Sequence, residues 1–127
     1  MKITLLFVIV DLFLMISCRG DQDCYVYNQT TDSLYVLSGT DPRLSTKEKS
    51  SNYFYLITPY RARCISTQSI SYYAGNGIFL LVLKKDTYEK LRSEKFQKER
   101  YDKKLYYPYS VLEANGFIIR IHDKDLE

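Results

Sequence analysis

Three cysteines, Cys18, Cys24 and Cys64, and a single histidine, His122, are the side chains whose chemistry narrows this sequence most. A thiolate can attack a carbonyl, ligate a metal, carry a lipid or join a disulfide, and an imidazole beside a carboxylate can move protons near neutral pH. His122 stands beside Asp123 close to the end of the chain, where a frayed strand end is a simpler reading than a catalytic dyad. No set of Cys, His and carboxylates has the spacing of metal ligands, so neither a metal nor a cofactor is expected. Gly75-Asn76-Gly77 lacks the third glycine and the following helix of a nucleotide loop and reads as a turn. Two carboxylates brought together by folding remain the one enzymatic route open, that of a glycoside hydrolase. The expectation is a protein that is not an enzyme.

What positions the cysteines is a leader. Met1-Lys2 precedes an apolar run over 3–16 that ends at Ser17-Cys18, the layout of a secretory signal over 1–17. A transmembrane anchor is the competing reading, but the run is broken by Asp11 and falls short of the roughly 20 residues needed to span a bilayer. Met15-Ile16-Ser17-Cys18 resembles the loose bacterial lipobox, in which a small residue precedes the cysteine that becomes acylated. Cys18 is therefore expected to carry lipid, with residues 18–23 as a tether. Ordinary cleavage after Ser17 or Gly20 is the alternative, and Arg19-Gly20-Asp21 is taken as a chance tripeptide. Lipid on Cys18 leaves Cys24 and Cys64 as a disulfide pair. The loop it closes, about 40 residues, would be worth about 4 kcal/mol in the chain-entropy model.

The mature chain, about 110 residues, is the size of one domain over 24–127. Thirteen tyrosines and six phenylalanines with no tryptophan favour strands and amphipathic faces. Alternation from Cys24, the polar cluster over 28–33 and the aliphatic run over 34–37 predict a hairpin. A polar loop follows over 39–52, long enough to be either functional or mobile. Strands are expected over 53–57 and 62–67, then a linker over 69–76. The run over 78–83 is the most apolar outside the leader and should be the central strand, covered on both faces. Asp86 with Glu89 predicts a capping box opening a helix from Thr87 to about Arg100, with Tyr88, Leu91 and Phe96 inward. An extended stretch over 105–107, a short helix closed by Gly116 and a last strand over 117–121 complete an α+β fold. It is mostly antiparallel β, a small sheet or sandwich, with one longer and one short helix before the last strand.

The net charge is +3. Between Lys84 and Lys104 nine basic residues interleave with five acidic ones, which reads as a solvated helix face and not as a nucleic-acid site. Tyr53, Tyr55, Tyr60, Tyr72 and Tyr73 crowd the middle of the chain, and alternation must turn some of them outward. Exposed tyrosines contact proteins and sugars well, so these five form the expected binding surface, with cross-strand packing as their competing role.

Asp86-Thr87-Tyr88-Glu89-Lys90, a charged helix, Tyr106-Tyr107-Pro108-Tyr109-Ser110-Val111-Leu112 and the closing Phe117-Ile118-Ile119-Arg120-Ile121 resemble short uncharacterised lipoproteins of Bacteroides-like bacteria. The Ser17-Cys18 site, the Tyr25-x-x-Asn28-x-Thr30 stretch and the aliphatic run over 34–37 fit the early part of that pattern. The resemblance implies a lipid-anchored cell-envelope protein, at the outer membrane or cell surface, and carries over no catalytic residue. The leading expectation is a non-enzymatic envelope protein that binds a partner protein or glycan. A second is an inhibitor or immunity lipoprotein against a toxin or lytic enzyme. A third, a secreted eukaryotic glycoprotein, would use Asn28-Gln29-Thr30 as a glycosylation sequon.

Overall fold

Alternation beginning at Cys24 does build a strand, β1 (Asp23–Gln29), and the computed structural model, which describes residues 23–66 and 77–127, places it in the middle of a three-stranded sheet. The expected signal over 1–17, Cys18 and its tether up to residue 22, and the linker over 69–76 with Tyr72 and Tyr73 lie outside the described residues. Six more strands follow: β2 (Leu34–Gly39), β3 (Tyr55–Ile57), β4 (Ala62–Ser66), β5 (Gly77–Lys84), β6 (Lys103–Pro108) and β7 (Ile118–His122). One sheet has the order β4-β1-β7 and the other β3-β2-β5-β6. All pairings are antiparallel except β1 with β7. Two helices, α1 (Lys85–Ser93) and α2 (Tyr109–Ala114), precede the last strand, so the α+β architecture with one longer and one short helix stands as expected.

The apolar residues divide into two layers because the strands of the larger sheet are hydrophobic on both faces. Cys24, Val26, Ile65, Ile119 and Ile121 from one sheet meet Leu34, Val36, Ile57, Ile78, Leu80 and Val82 from the other. On the far side of the larger sheet, Leu37, Leu81 and Leu83 are covered by Tyr88 and Leu91 of α1, with Tyr35, Leu44, Phe54 and Phe96 around them. Tyr35 and Tyr88 stack with ring centroids 3.8 Å apart. Strand β5 lies between β2 and β6 and contributes to both layers, as its unbroken apolar run requires.

Two local expectations are corrected. First, β1 and β2 form no hairpin, because the polar cluster between them is a corner that carries the chain from one sheet to the other. Asn28 and Thr30 are wholly buried there. The Asn28 amide donates to Asp32 O at 2.8 Å and to Ile57 O, in β3, at 2.9 Å, while its Oδ1 accepts from Thr30 N at 3.0 Å. Second, α1 has neither the expected cap nor the expected length. Asp102 braces its start, accepting from Lys84 N at 2.6 Å and from Thr87 Oγ1 at 3.0 Å, and no Asp86–Glu89 box forms.

The helix stops at Ser93 because Lys95 and Phe96 both take φ of 56°. Phe96 N donates to Leu91 O and Lys95 N to Arg92 O, the paired bonds of a Schellman turn that folds Phe96 back onto the second apolar layer. The same two bonds close α2, from Phe117 N to Leu112 O and from Gly116 N to Glu113 O, with Gly116 in the left-handed position. Lysine occupies in α1 the place that glycine fills in α2, and a side chain with positive φ is strained. Lys95→Gly is expected to raise stability by about 1 kcal/mol, read as a higher urea midpoint with an unchanged slope.

Candidate interaction surface

Strands β3 and β4 are terminal strands of the two sheets and touch one another, so one side of the sandwich is made of their edges and of the turns around them. The polar loop before β3 is anchored to the segment after α1. Thr46 is fully buried, its Oγ1 accepts from Arg100 N at 2.9 Å, and Glu48 N donates to Phe96 O at 2.7 Å. The loop closes in a 3-10 turn, Ser51–Tyr53, formed by Tyr53 N donating to Ser50 O and Phe54 N to Ser51 O. That turn shortens the expected strand at its start and swings Tyr53 out of the sheet.

Of the five tyrosines expected to bind, Tyr53 and Tyr60 are each 58 % exposed, and Leu56 between them is 41 % exposed. Tyr55 is half-buried and packs against the inter-sheet core. Tyr60 is held at φ of 57° in the turn that leads into β4. The basic residues here were not anticipated. Arg63 lies over the Tyr55 ring, 5.1 Å from its centroid, and donates from Nη1 to Leu56 O at 3.2 Å. Lys49 Nζ lies 5.5 Å from the Tyr53 centroid, and Arg61 is exposed in the same turn as Tyr60. Residues 41–63 contain five bases, Arg43, Lys47, Lys49, Arg61 and Arg63, against the two acids Asp41 and Glu48. Their spread over loop, turn and strand hides the surplus that a continuous run such as 84–104 advertises.

Part of that run pairs within itself. Arg100 grips Glu94 in a bidentate pair, Nη2 to Oε2 at 2.8 Å, and Lys98 Nζ lies 3.4 Å from the same carboxylate. The Arg100 bond, and after it the neighbouring charges, pull the Glu94 carboxyl down to about 2 from its ordinary 4.5, against a smaller upward push from burial. A carboxyl depressed in the fold binds fewer protons there than in the unfolded chain. Its stabilisation is therefore complete above about pH 4.5 and is lost as the pH falls toward 2. Glu94→Gln is expected to flatten stability across that window and leave its dependence at higher pH unchanged, as read by thermal unfolding at stepped pH. Beside this pair an open groove of about 600 Å³ is lined by Thr87, Lys90, Glu99, Arg100 and Tyr101. Its walls carry both signs of charge, and Asp102 already accepts from Lys84 N at the nearby helix start.

The cysteine pairing is corrected. In the β1–β4 ladder Cys24 stands opposite Ile65 and Cys64 opposite Tyr25, so the two cysteines are offset by one residue. Successive side chains point to opposite faces of a sheet, so that offset separates them. Cys24 is buried in the inter-sheet core, Cys64 is half-buried on the outer face, and they are not bonded to one another. The sequon reading of Asn28 also fails on geometry, since a glycan on its amide nitrogen cannot coexist with the two hydrogen bonds that nitrogen donates inside the corner. His122 takes Asp125 as its partner instead of Asp123. Asp125 Oδ2 accepts from His122 N at 2.8 Å, which caps the terminal 3-10 turn Asp123–Leu126. Among the described residues no group of three or more His, Cys, Asp or Glu is arranged to hold a metal ion.

No family model matches the chain, and the comparisons with curated proteins and with solved structures find no match either.

Proposed function

We propose that this is a non-enzymatic cell-envelope protein, held to a membrane by lipid on Cys18, whose domain docks a partner protein or glycan through the side formed by β3 and β4. The observation that carries the docking half is the exposure of Tyr53, Leu56 and Tyr60, in edge strand β3 and the turns at its two ends. The fold has two apolar layers in which to bury such side chains and uses both for other residues. Tyrosine and arginine are the residue types that contribute most at binding surfaces, and here they stand together. The anchor half rests on the leader and on Ser17-Cys18. Among the described residues no helix is long and apolar enough to cross a membrane.

The test has two readouts on one preparation. The full chain, expressed with its own leader in a bacterial host and carrying a photo-crosslinking residue at position 53, should yield a membrane-fraction protein that begins at Cys18 with added acyl mass. On irradiation it should give a discrete adduct that the same residue at position 92, on the exposed face of α1, does not give. A soluble, unacylated product would remove the anchor. Equal, diffuse labelling from both positions would remove the docking surface.

A further inference from the structure

The rim has a charge as well as a shape. Among the described residues four cations sit in ion pairs: Arg43 with Asp41, Lys84 with Asp32, and both Lys98 and Arg100 with Glu94. Among the described residues, none of Lys49, Arg61 and Arg63 has a carboxylate within ion-pair distance. Two of them rest on aromatic faces instead, Lys49 over Tyr53 and Arg63 over Tyr55. A cation over a ring is held in place without being neutralised, and its outward side remains available to an anion. Arg63 spends one of its five N–H donors on Leu56 O and keeps the rest.

We propose that the occupant of this surface is an acidic patch on a partner protein, whose carboxylates pair with Lys49, Arg61 and Arg63 around an apolar centre that covers Tyr53, Leu56 and Tyr60. The proposal rests on the docking reading above and adds the chemistry of the partner. Leu56 decides between classes of acidic partner. An aliphatic side chain offers neither a stacking plane nor a hydrogen bond to a sugar or a base, whereas it fills an apolar pocket on a protein well. Strand addition is disfavoured as the mode of contact, because β3 has three residues and Arg63 already occupies the carbonyl of its middle one. Recognition therefore falls to side chains.

The test uses the purified full chain and a fluorescent random copolymer of glutamate and tyrosine as an acidic polypeptide probe, with heparin as the competing polyanion. Binding should be saturable, weaken steeply with salt, and fall by about tenfold or more in the double variant Lys49→Glu/Arg61→Glu. It should be nearly unchanged in Lys90→Glu/Arg92→Glu, which alters net charge by the same amount on α1. Neither side chain of the first pair makes a hydrogen bond among the described residues, and an unchanged urea midpoint verifies that the variant is folded. Equal loss in both double variants would reduce the effect to bulk charge and overturn the proposal, as would heparin binding as tightly as the copolymer. A silent copolymer with a persistent adduct from position 53 would overturn the acidic partner and leave the docking surface standing. Loss of both would remove the two together.

Discussion

Asn28→Ala should cost about 3–5 kcal/mol, a large share of the 5–15 kcal/mol that holds a domain of this kind folded. The side chain is wholly buried at the corner between the two sheets and makes bonds to three other residues. Truncation removes the amide donor from Ile57 O and Asp32 O and the acceptor from Thr30 N, and a buried polar group left unsatisfied costs about 1–3 kcal/mol. It also releases the Thr30 hydroxyl, which donates to Asn28 Oδ1 at 2.6 Å and has Asp32 O at 3.1 Å as its second acceptor. In Asn28→Asp the shape is kept but the donor is lost, so a carboxylate would face two carbonyl oxygens. That variant should be at least as damaging near neutral pH and should recover in part as the pH falls and the acid protonates. Thr30→Val keeps the amide bonds and should cost less, about 1–2 kcal/mol. Urea midpoints of the three variants give the ranking. An Asn28→Ala midpoint within 1 kcal/mol of the parent would show that the corner does not depend on this network.

The same corner shows where sequence reasoning stops. Alternation marked β1, the long apolar run marked β5 as central, and Gly116 marked the end of α2, because each signal is local and periodic. Whether the turn after β1 is a hairpin or a sheet-to-sheet corner depends on Ile57 O, 29 residues away, and a polar cluster reads alike in both cases. The start of α1 has the same character. Asp86 and Glu89 compose a plausible cap within the helix, but it is Asp102, 18 residues beyond Lys84, whose carboxylate braces that end by accepting from Lys84 N. The end of α1 is invisible because lysine, and not glycine, occupies the left-handed position. The cysteine pairing fails on a register offset of one residue, which no spacing reveals. At the rim the exposed Tyr53 and Tyr60 were legible as tyrosines that had to face outward somewhere. Arg63 was not, since only the meeting of β3 with β4 brings it over Tyr55.

Gly77→Ala is the second large effect, and its size follows from space and not from backbone conformation. Among the described glycines Gly116 is the one with positive φ. A Cβ on Gly77 would stand 2.3 Å from Tyr107 O and 2.8 Å from the Tyr106 ring. The first obstacle is backbone of β6, which pairs with β5 from Gly77↔Pro108 to Val82↔Lys103 and cannot retreat alone. Moving it would shift Tyr107, which packs against the inter-sheet core and whose hydroxyl is pushed up to about 12, chiefly by burial. The second obstacle is a ring held by Phe79 at 4.5 Å between centroids. The added methyl should therefore cost about 3 kcal/mol, at the upper end for an overpacked site. Gly39→Ala provides the comparison. Its Cβ would come within 2.9 Å of the tip of Leu44, a side chain that can turn away, so the cost should stay below about 1 kcal/mol. Similar urea midpoints for the two variants would mean that β6 can slide relative to β5, and that the edge strand is held by its side chains and not by its register.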